Sequence, residues 1–419
     1  MMSRTRNRQP RLPRCAVIGI AAALLSTGCG GLLPDSATTV RSSSSEWAIV
    51  LYMNVSPGLQ SQADADLRAM EAVGLSGTGI TVLALLDDGS RARLYEVADD
   101  PAGSSPSVSS IPVAVPTLGI DPAGQDVTLD MSDPATLDEL LSFVERRYAP
   151  ARRALILWGE GTGYHVAGFL AAALRGHTLD VIGFDTSFGA GLEVAWELRH
   201  TSELMVASQG IVPDAGWNYG QALRRFIESE RTPAALSDAF VTAAAEAAAG
   251  AVGGAGRFTI SSIELALLDP VMAALNAFSD ALYDGIGDAA TRDALRATLF
   301  YDVEDFYATP GDLSIDVGDL GVVVHRDHGI AGEEAAALIH AVQAAVRSNL
   351  PGSERQAASG MSVHLIPLRA DGTAESGHAP VYLRGSPGIT PLSFAIDSTW
   401  APVYPAGPGL LYRLFYEVM

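Results

Sequence analysis

Leu155-Ile156-Leu157-Trp158-Gly159-Glu160-Gly161-Thr162-Gly163-Tyr164 and Val181-Ile182-Gly183-Phe184-Asp185-Thr186-Ser187-Phe188-Gly189-Ala190 are the two stretches on which the reading of this chain turns. Each is a short apolar run that stops at polar residues interleaved with glycine. Runs of that length, Ala154 to Trp158 and Val181 to Phe184, predict buried strands. Glycines at a strand tip let another backbone or a ligand approach closely. In open α/β sheets, ligands bind beyond the carboxyl ends of the strands. The two tips are therefore where a site is expected.

The surroundings agree with a sheet of that kind. Trp47 to Met53 is an apolar run ending at Asn54, and Ile80 to Leu86 is another, ending in the turn signal Asp87-Asp88-Gly89. Arg93 to Val97 is placed to pair with the second run, and Glu203 to Ala207 reads as a further strand. Helices are predicted over Ala63 to Val73, from Pro134 onward with Leu137, Leu140, Leu141 and Val144 on one face, and over Leu192 to Leu198, Tyr219 to Glu228 and Ala234 to Ala248. Such alternation predicts a mainly parallel sheet flanked by helices. Further on, Phe258 to Ile263 and Met361 to Ile366 read as strands, and Val271 to Tyr283 and Glu333 to Val346 as helices. The Ala/Gly-rich Ala244 to Gly256 reads as a helix end and a flexible loop, the only candidate for an internal boundary.

The N-terminus has a different character. Arg4, Arg6, Arg8, Arg11 and Arg14 precede an uncharged run from Cys15 to Thr27, the layout of a secretory signal peptide. Leu25-Ser26-Thr27-Gly28-Cys29 resembles a bacterial lipobox, which makes Cys29 the expected lipidation site; Ser26 stands where such boxes usually carry leucine. Gly30 follows Cys29 in place of the aspartate that often retains lipoproteins at an inner membrane, so the expected location is the cell surface or outer membrane. Residues 30–45, with Ser42-Ser43-Ser44-Ser45, read as a flexible tether. The organisation expected is a signal peptide over 1–29, a tether over 30–45 and a globular body over 46–419. No stretch in the body is read as apolar enough to span a bilayer.

The net charge is −21, and all 27 basic residues are arginine. An excess of acid argues against nucleic acid, whose binding rests on neutralising phosphates. It leaves cationic partners open. The two cysteines are Cys15 and Cys29, so the body carries no disulfide, no cysteine metal site and no thiol nucleophile.

With these residues in view, the chain resembles the clostripain family of cysteine peptidases. That family carries a strand ending in Trp-(Gly/Asp)-His-Gly-x-Gly-Trp, then Asp-Ala-Cys-Leu-Met-Gly, then a helix with Glu-Val-Ala-Tyr-Glu-Leu. Here the counterparts are Trp158 to Gly163, Asp185-Thr186-Ser187, and Glu193-Val194-Ala195-Trp196-Glu197-Leu198. Val206-Ala207-Ser208-Gln209 and Gly216-Trp217-Asn218-Tyr219 are similar to its Val-Ala-Ser-(Glu/Gln) and Gly-Trp-x-Tyr. Asp66 to Glu71 and Gly360 to Val363 are similar to its Asp-Ile-x-Glu-Met-Glu helix and its late Gly-Leu-Ser-Ile strand. The resemblance runs from Trp47 to the C-terminus. It implies a three-layer α/β caspase-like fold, a mainly parallel sheet flanked by helices, with C-terminal additions.

The resemblance also locates two departures. Glu160 stands at the family's catalytic histidine and Ser187 at its nucleophilic cysteine. A serine hydroxyl barely ionises and needs a base within hydrogen-bond reach. A glutamate serves as one only if its pKa rises well above about 4.3. Asp185 stands at the aspartate that in the family lines a pocket for arginine or lysine. A structural role for Asp185, capping the following helix or bonding to the backbone, is equally open. Asp214, in the following loop, is a second candidate for the pocket wall.

Other signals are weaker. Asp185-Thr186-Ser187 with Asp397-Ser398-Thr399 matches aspartic-peptidase loops in letters, but that chemistry needs two carboxylates sharing a proton on an all-β body. Gly159 to Gly163 lacks the G-x-G-x-x-G spacing of a dinucleotide fingerprint. His325-Arg326-Asp327-His328 reads as a surface loop, not a metal pair. His165, one residue past the glycine motif, is a remote substitute for the missing base. No cofactor or metal is expected; calcium is implied by the resemblance alone, with no loop of EF-hand spacing. Three functions stay open: a non-catalytic peptidase relative that binds basic peptides or a protein partner, a hydrolase using Ser187, and a purely structural surface lipoprotein.

Overall fold

The computed structural model describes residues 45–103, 105, 107–161, 166–251, 256–307, 313–365, 392–401, 403–404 and 407–415. The signal segment, Cys29, all of the tether but Ser45, and Thr162 to His165 lie outside them. The described residues belong to one compact unit that begins at Ser42.

The strands and helices follow in the order β1 (Trp47–Asn54), α1 (Gln60–Glu71), β2 (Ile80–Asp87), β3 (Ala92–Glu96), β4 (Ile111–Val113), α2 (Pro134–Tyr148), β5 (Arg152–Trp158), α3 (Ala167–Ala173), β6 (Leu179–Asp185), α4 (Leu192–Leu198), β7 (Ser202–Ala207), α5 (Tyr219–Ile227), α6 (Pro233–Gly250) and β8 (Ser261–Glu264). Then come α7 (Leu268–Gly285), α8 (Ala289–Tyr301), β9 (Asp305–Tyr307), β10 (Leu313–Asp316), α9 (Val317–His328), α10 (Gly332–Ala345), β11 (Val346–Asn349) and β12 (Ser362–Leu365). The main sheet has nine strands in the order β11-β8-β7-β6-β5-β1-β2-β3-β4. Its centre, β7-β6-β5-β1-β2, is parallel. Both flanks are antiparallel, β3 and β4 on one side and β8 and β11 on the other. A second sheet, β12-β10-β9, is antiparallel throughout.

Why the central strands read as unbroken apolar runs is visible in β1. Alternate side chains of a strand point to opposite faces. Ala48, Val50 and Tyr52 enter one core with α2, α3, α4 and α7, while Trp47, Ile49, Leu51 and Met53 enter the other with α1, α5 and α6. Both faces are covered, as parallel sheets require. Trp47 is fully buried and meets Phe226 of α5 edge to face at 5.2 Å.

Several local expectations acquire a cause. α2 starts where Asp133 accepts a bond from the Ala135 amide, with Pro134 at the first helical position. The Phe258 to Ile263 run shortens to β8 and turns antiparallel. His325 and His328 lie in the last turn of α9, not in a loop, and His328 Nε2 contacts Thr298 Oγ1 at 2.9 Å. One expectation fails. Leu265–Gly285 is long and apolar enough by composition to cross a membrane. In the fold its Leu268, Val271, Leu275, Phe278 and Leu282 are core residues, which explains the composition without a bilayer.

Candidate functional site

The chain leaves β1 for β2 on one side, and returns through α2 to place β5 on the other side of β1. That reversal opens a crevice at the carboxyl ends of β1, β5 and β6. Three side chains there come from strand tips or the turns just after them: Trp158 and Asp185, neighbours in the β5–β6 register, and Glu160.

Gly159 has φ +142, and a Cβ on it would meet Asn54 O at 2.7 Å. Gly161 is tighter still, since a Cβ would lie 2.0 Å from Ser187 O and 2.3 Å from Ser187 N. Only glycine lets the turn after β5 lie flat on the turn after β6. Phe188, next to Ser187, is held at φ +62 while its amide donates to Gly210 O at 3.0 Å. A bulky residue in the left-handed region is strained, and such strain gathers at functional sites.

Glu160 and Ser187 turn to different partners. Ser187 Oγ accepts a bond from the Val212 amide at 3.1 Å. Glu160 is exposed, and its Oε1 accepts from Ser56 Oγ at 3.0 Å. Among the described residues no hydrogen bond joins the two side chains.

Asp185 is arranged differently. It is only 4% exposed, and its Oδ2 accepts from the Tyr219 hydroxyl at 2.7 Å and the Trp217 amide at 3.1 Å. Its Oδ1, equally buried, has no hydrogen-bond partner among the described residues. It caps no helix: α4 begins after Gly191, without a side-chain cap. Burial pushes the carboxyl up to about 6, against the pull of its two donors. Behind it lies Asp66 of α1, whose Oδ2 accepts from Trp158 Nε1 and whose Oδ1 accepts from Gln62 Nε2, each at 2.9 Å. Burial first, and then the charge of Asp185, push Asp66 up to about 8.

Asp185, Glu160 and Asp214 all line one cavity of about 340 Å³, together with Trp158, Ser187, Ile211 and Gly216. Asp214 sits on the exposed rim, and among the described residues no basic side chain lines the cavity. The wall is therefore acidic from floor to mouth, which focuses a negative potential on whatever enters. A second cavity, of about 300 Å³, lies beside it and is mostly apolar. Asp66 and the second cavity were not among the expected site features. Asp66 sits in a segment quoted only for its helix, and nothing local in the sequence marks the second cavity.

Residues 167–320 match the Clostripain family model. A search of curated proteins finds no match. Among solved structures, the fold is similar to an inactive zymogen C11 protease from Parabacteroides distasonis, with 19% identity, TM-score 0.58, and coverage of 77% of this chain and 92% of that one. It is also similar to a secreted C11 cysteine protease from Bacteroides thetaiotaomicron in complex with an irreversible peptide inhibitor, with 15% identity, TM-score 0.60, and coverage of 81% and 97%. At these identities the structures establish the shared fold, and the sequence match rests on the segment from α3 to α9. Residues 167–320 are thus similar to the clostripain family, and the fold of the chain is the α/β fold of the C11 protease structures.

Proposed function

We propose that this protein is a non-catalytic C11 homologue, exported to the cell envelope and anchored there through a lipid on Cys29, that binds basic peptides or a basic segment of a protein partner in its acidic cleft. The observation that carries the reading is the state of Asp185. A buried carboxylate oxygen without a donor, in the wall of an acid-lined cavity, is the arrangement that a guanidinium or ammonium group would complete. The separation of Ser187 from Glu160 supports the loss of catalysis, since each side chain is engaged by a group other than the other. The N-terminal pattern of arginines, apolar run and Cys29 supports export and lipidation. A structural neighbour, the C11 cysteine protease from Bacteroides thetaiotaomicron, is a secreted protein, which points the same way.

The test is binding of a fluorescent arginine peptide against its citrulline counterpart, which keeps the shape and removes the charge. Wild-type protein is expected to prefer arginine by about tenfold or more, and Asp185→Asn to lose most of that preference. Asparagine still accepts from Tyr219 and Trp217, so the fold has no reason to change. Equal binding of the two peptides would remove the proposal.

A further inference from the structure

The second cavity lies across the Gly159–Gly161 turn from the acidic one and shares Trp158, Glu160 and Gly161 with it. It opens at the carboxyl ends of β1, β5 and β6, where the strand order reverses. Tyr52, Met131, Leu157, Phe169 and Phe184 form most of its apolar wall, and Asn54, Ser132 and Thr186 add polar groups to its lining. The Tyr52 hydroxyl donates to Met131 O at 3.1 Å, so the ring turns no unmet polar group toward the cavity. Phe169, half-buried, stands 6.4 Å from that ring, tilted by 33°.

The two cavities belong to opposite faces of the sheet. Tyr52, Leu157 and Phe184 are in the core that packs α2 to α4, and Phe169 packs against it. Trp158 is in the core that packs α1, α5 and α6, and Leu59 and Val212 of the acidic cavity pack against it. A peptide lying extended across the strand tips sends successive side chains to opposite sides, with Cα atoms about 3.8 Å apart. One residue then faces the acidic cavity and its neighbour faces the apolar one.

We propose that the cleft reads a pair of adjacent residues, one basic and one large and apolar, with the apolar side chain seated between Tyr52, Phe169 and Phe184. This rests on the basic-peptide reading of the Asp185 cavity and adds a second determinant to it. Burying an aromatic ring in a preformed apolar pocket favours binding through the area removed from water.

The experiment is fluorescence anisotropy with the purified protein and four labelled peptides. Three hold one arginine, with phenylalanine before it, phenylalanine after it, or serine on both sides. The fourth replaces arginine by citrulline in the better phenylalanine peptide. One phenylalanine order is expected to bind about tenfold tighter than the serine peptide. Phe169→Glu is expected to abolish that gain, so that phenylalanine and serine peptides bind the variant equally. Equal binding of phenylalanine and serine peptides, with arginine still preferred over citrulline, overturns this inference and leaves the acidic cavity standing. A phenylalanine gain that survives in Phe169→Glu overturns it too. Loss of the arginine preference removes the basic-peptide reading and the pair with it. The peptide comparison uses wild-type protein, so it does not depend on the variant folding.

Discussion

The indole of Trp158 donates a 2.9 Å hydrogen bond to the buried carboxylate of Asp66, and so ties the tip of β5 to helix α1 directly behind the acidic cavity. Trp158 is also the register partner of Asp185 on β6. Two carboxylates therefore share one poorly solvated region, with Tyr219 bonded to one of them and burial holding its own hydroxyl proton well above the ordinary range.

That pairing makes ligand binding depend on protons. Asp185 titrates near about 6 and Asp66 near about 8, both above the ordinary 3.8. A cation in the cavity favours the ionised forms, so binding expels protons. Affinity for an arginine peptide is expected to rise from pH 5 to 8 by about tenfold. Calorimetry in buffers of different ionisation heat reads the released protons directly. Asp66→Asn should remove the upper part of the rise, because the group whose carboxyl is pushed up to about 8 is gone. A flat profile would show that the two acids do not meet the ligand.

Stability should move in the opposite sense. Both aspartates hold protons to higher pH in the folded state than in the unfolded chain, so folding takes up protons between the two values. Their contribution is most favourable below the ordinary 3.8 and declines as pH rises through about 6 and then about 8. Urea midpoints measured from pH 5 to 8 are expected to fall, and Asp66→Asn to flatten the upper part of that fall. A midpoint that rises over the same range in wild type and variant alike would contradict the placement of these groups.

Hydrolysis offers a cleaner contrast. Wild type and Ser187→Ala are expected to leave fluorogenic arginine and lysine peptides equally uncut, at the background rate. A wild-type signal that Ser187→Ala abolishes makes Ser187 a nucleophile and ends the non-catalytic reading. Ser187→Ala also strips the Val212 amide of its acceptor. The expected loss of stability is about 1–2 kcal/mol, read by denaturant unfolding.

Gly161→Ala probes the flat contact between the two turns. Its Cβ would fall 2.0 Å from Ser187 O, and backbone cannot yield as a flexible side chain does. A loss of about 3 kcal/mol or more is expected in chemical unfolding. Gly74→Ala is a useful comparison. Gly74 has positive φ and nothing lies within 4 Å of the added Cβ, so it reports conformational strain alone, about 1 kcal/mol.

Asp316 anchors the second sheet to the first. It accepts from the Asp319 amide at the start of α9, from the Ser359 amide and from Gln209 Nε2, all within 2.8 Å. Gln209 in turn accepts from the Gly360 amide at 3.0 Å. Asp316→Ala leaves three buried donors unmet and is expected to cost about 3 kcal/mol or more. A change below about 1 kcal/mol in the same unfolding measurement would mean that solvent replaces these bonds.

Much of the sheet was legible because its signals are local. The runs at Trp47, Ile80, Ala154 and Val181 are short, apolar and closed by polar residues or glycine, and all four are central strands. α8 and α9 were not read, although Asp288 and Asp316 cap their N-termini. α8 buries only Leu295, Thr298 and Leu299, none of them in its first half, and α9 holds three valines in a row, Val322 to Val324, which mimic a strand. Packing against α10 and α8 overrides that propensity.

The sequence by itself determined that the body has no thiol, that Glu160 and Ser187 follow two short apolar runs, and that glycines crowd the ends of those runs. These are facts of composition and order. Only the tertiary structure decided that Asp66 stands behind Trp158, that Asp185 keeps one oxygen unpartnered, and that Ser187 and Glu160 turn to other partners. Those relationships depend on β1, β5 and β6 lying side by side in one register. Long-range strand pairing of that kind arises from the burial of both faces of the sheet at once, and no local window of sequence encodes it.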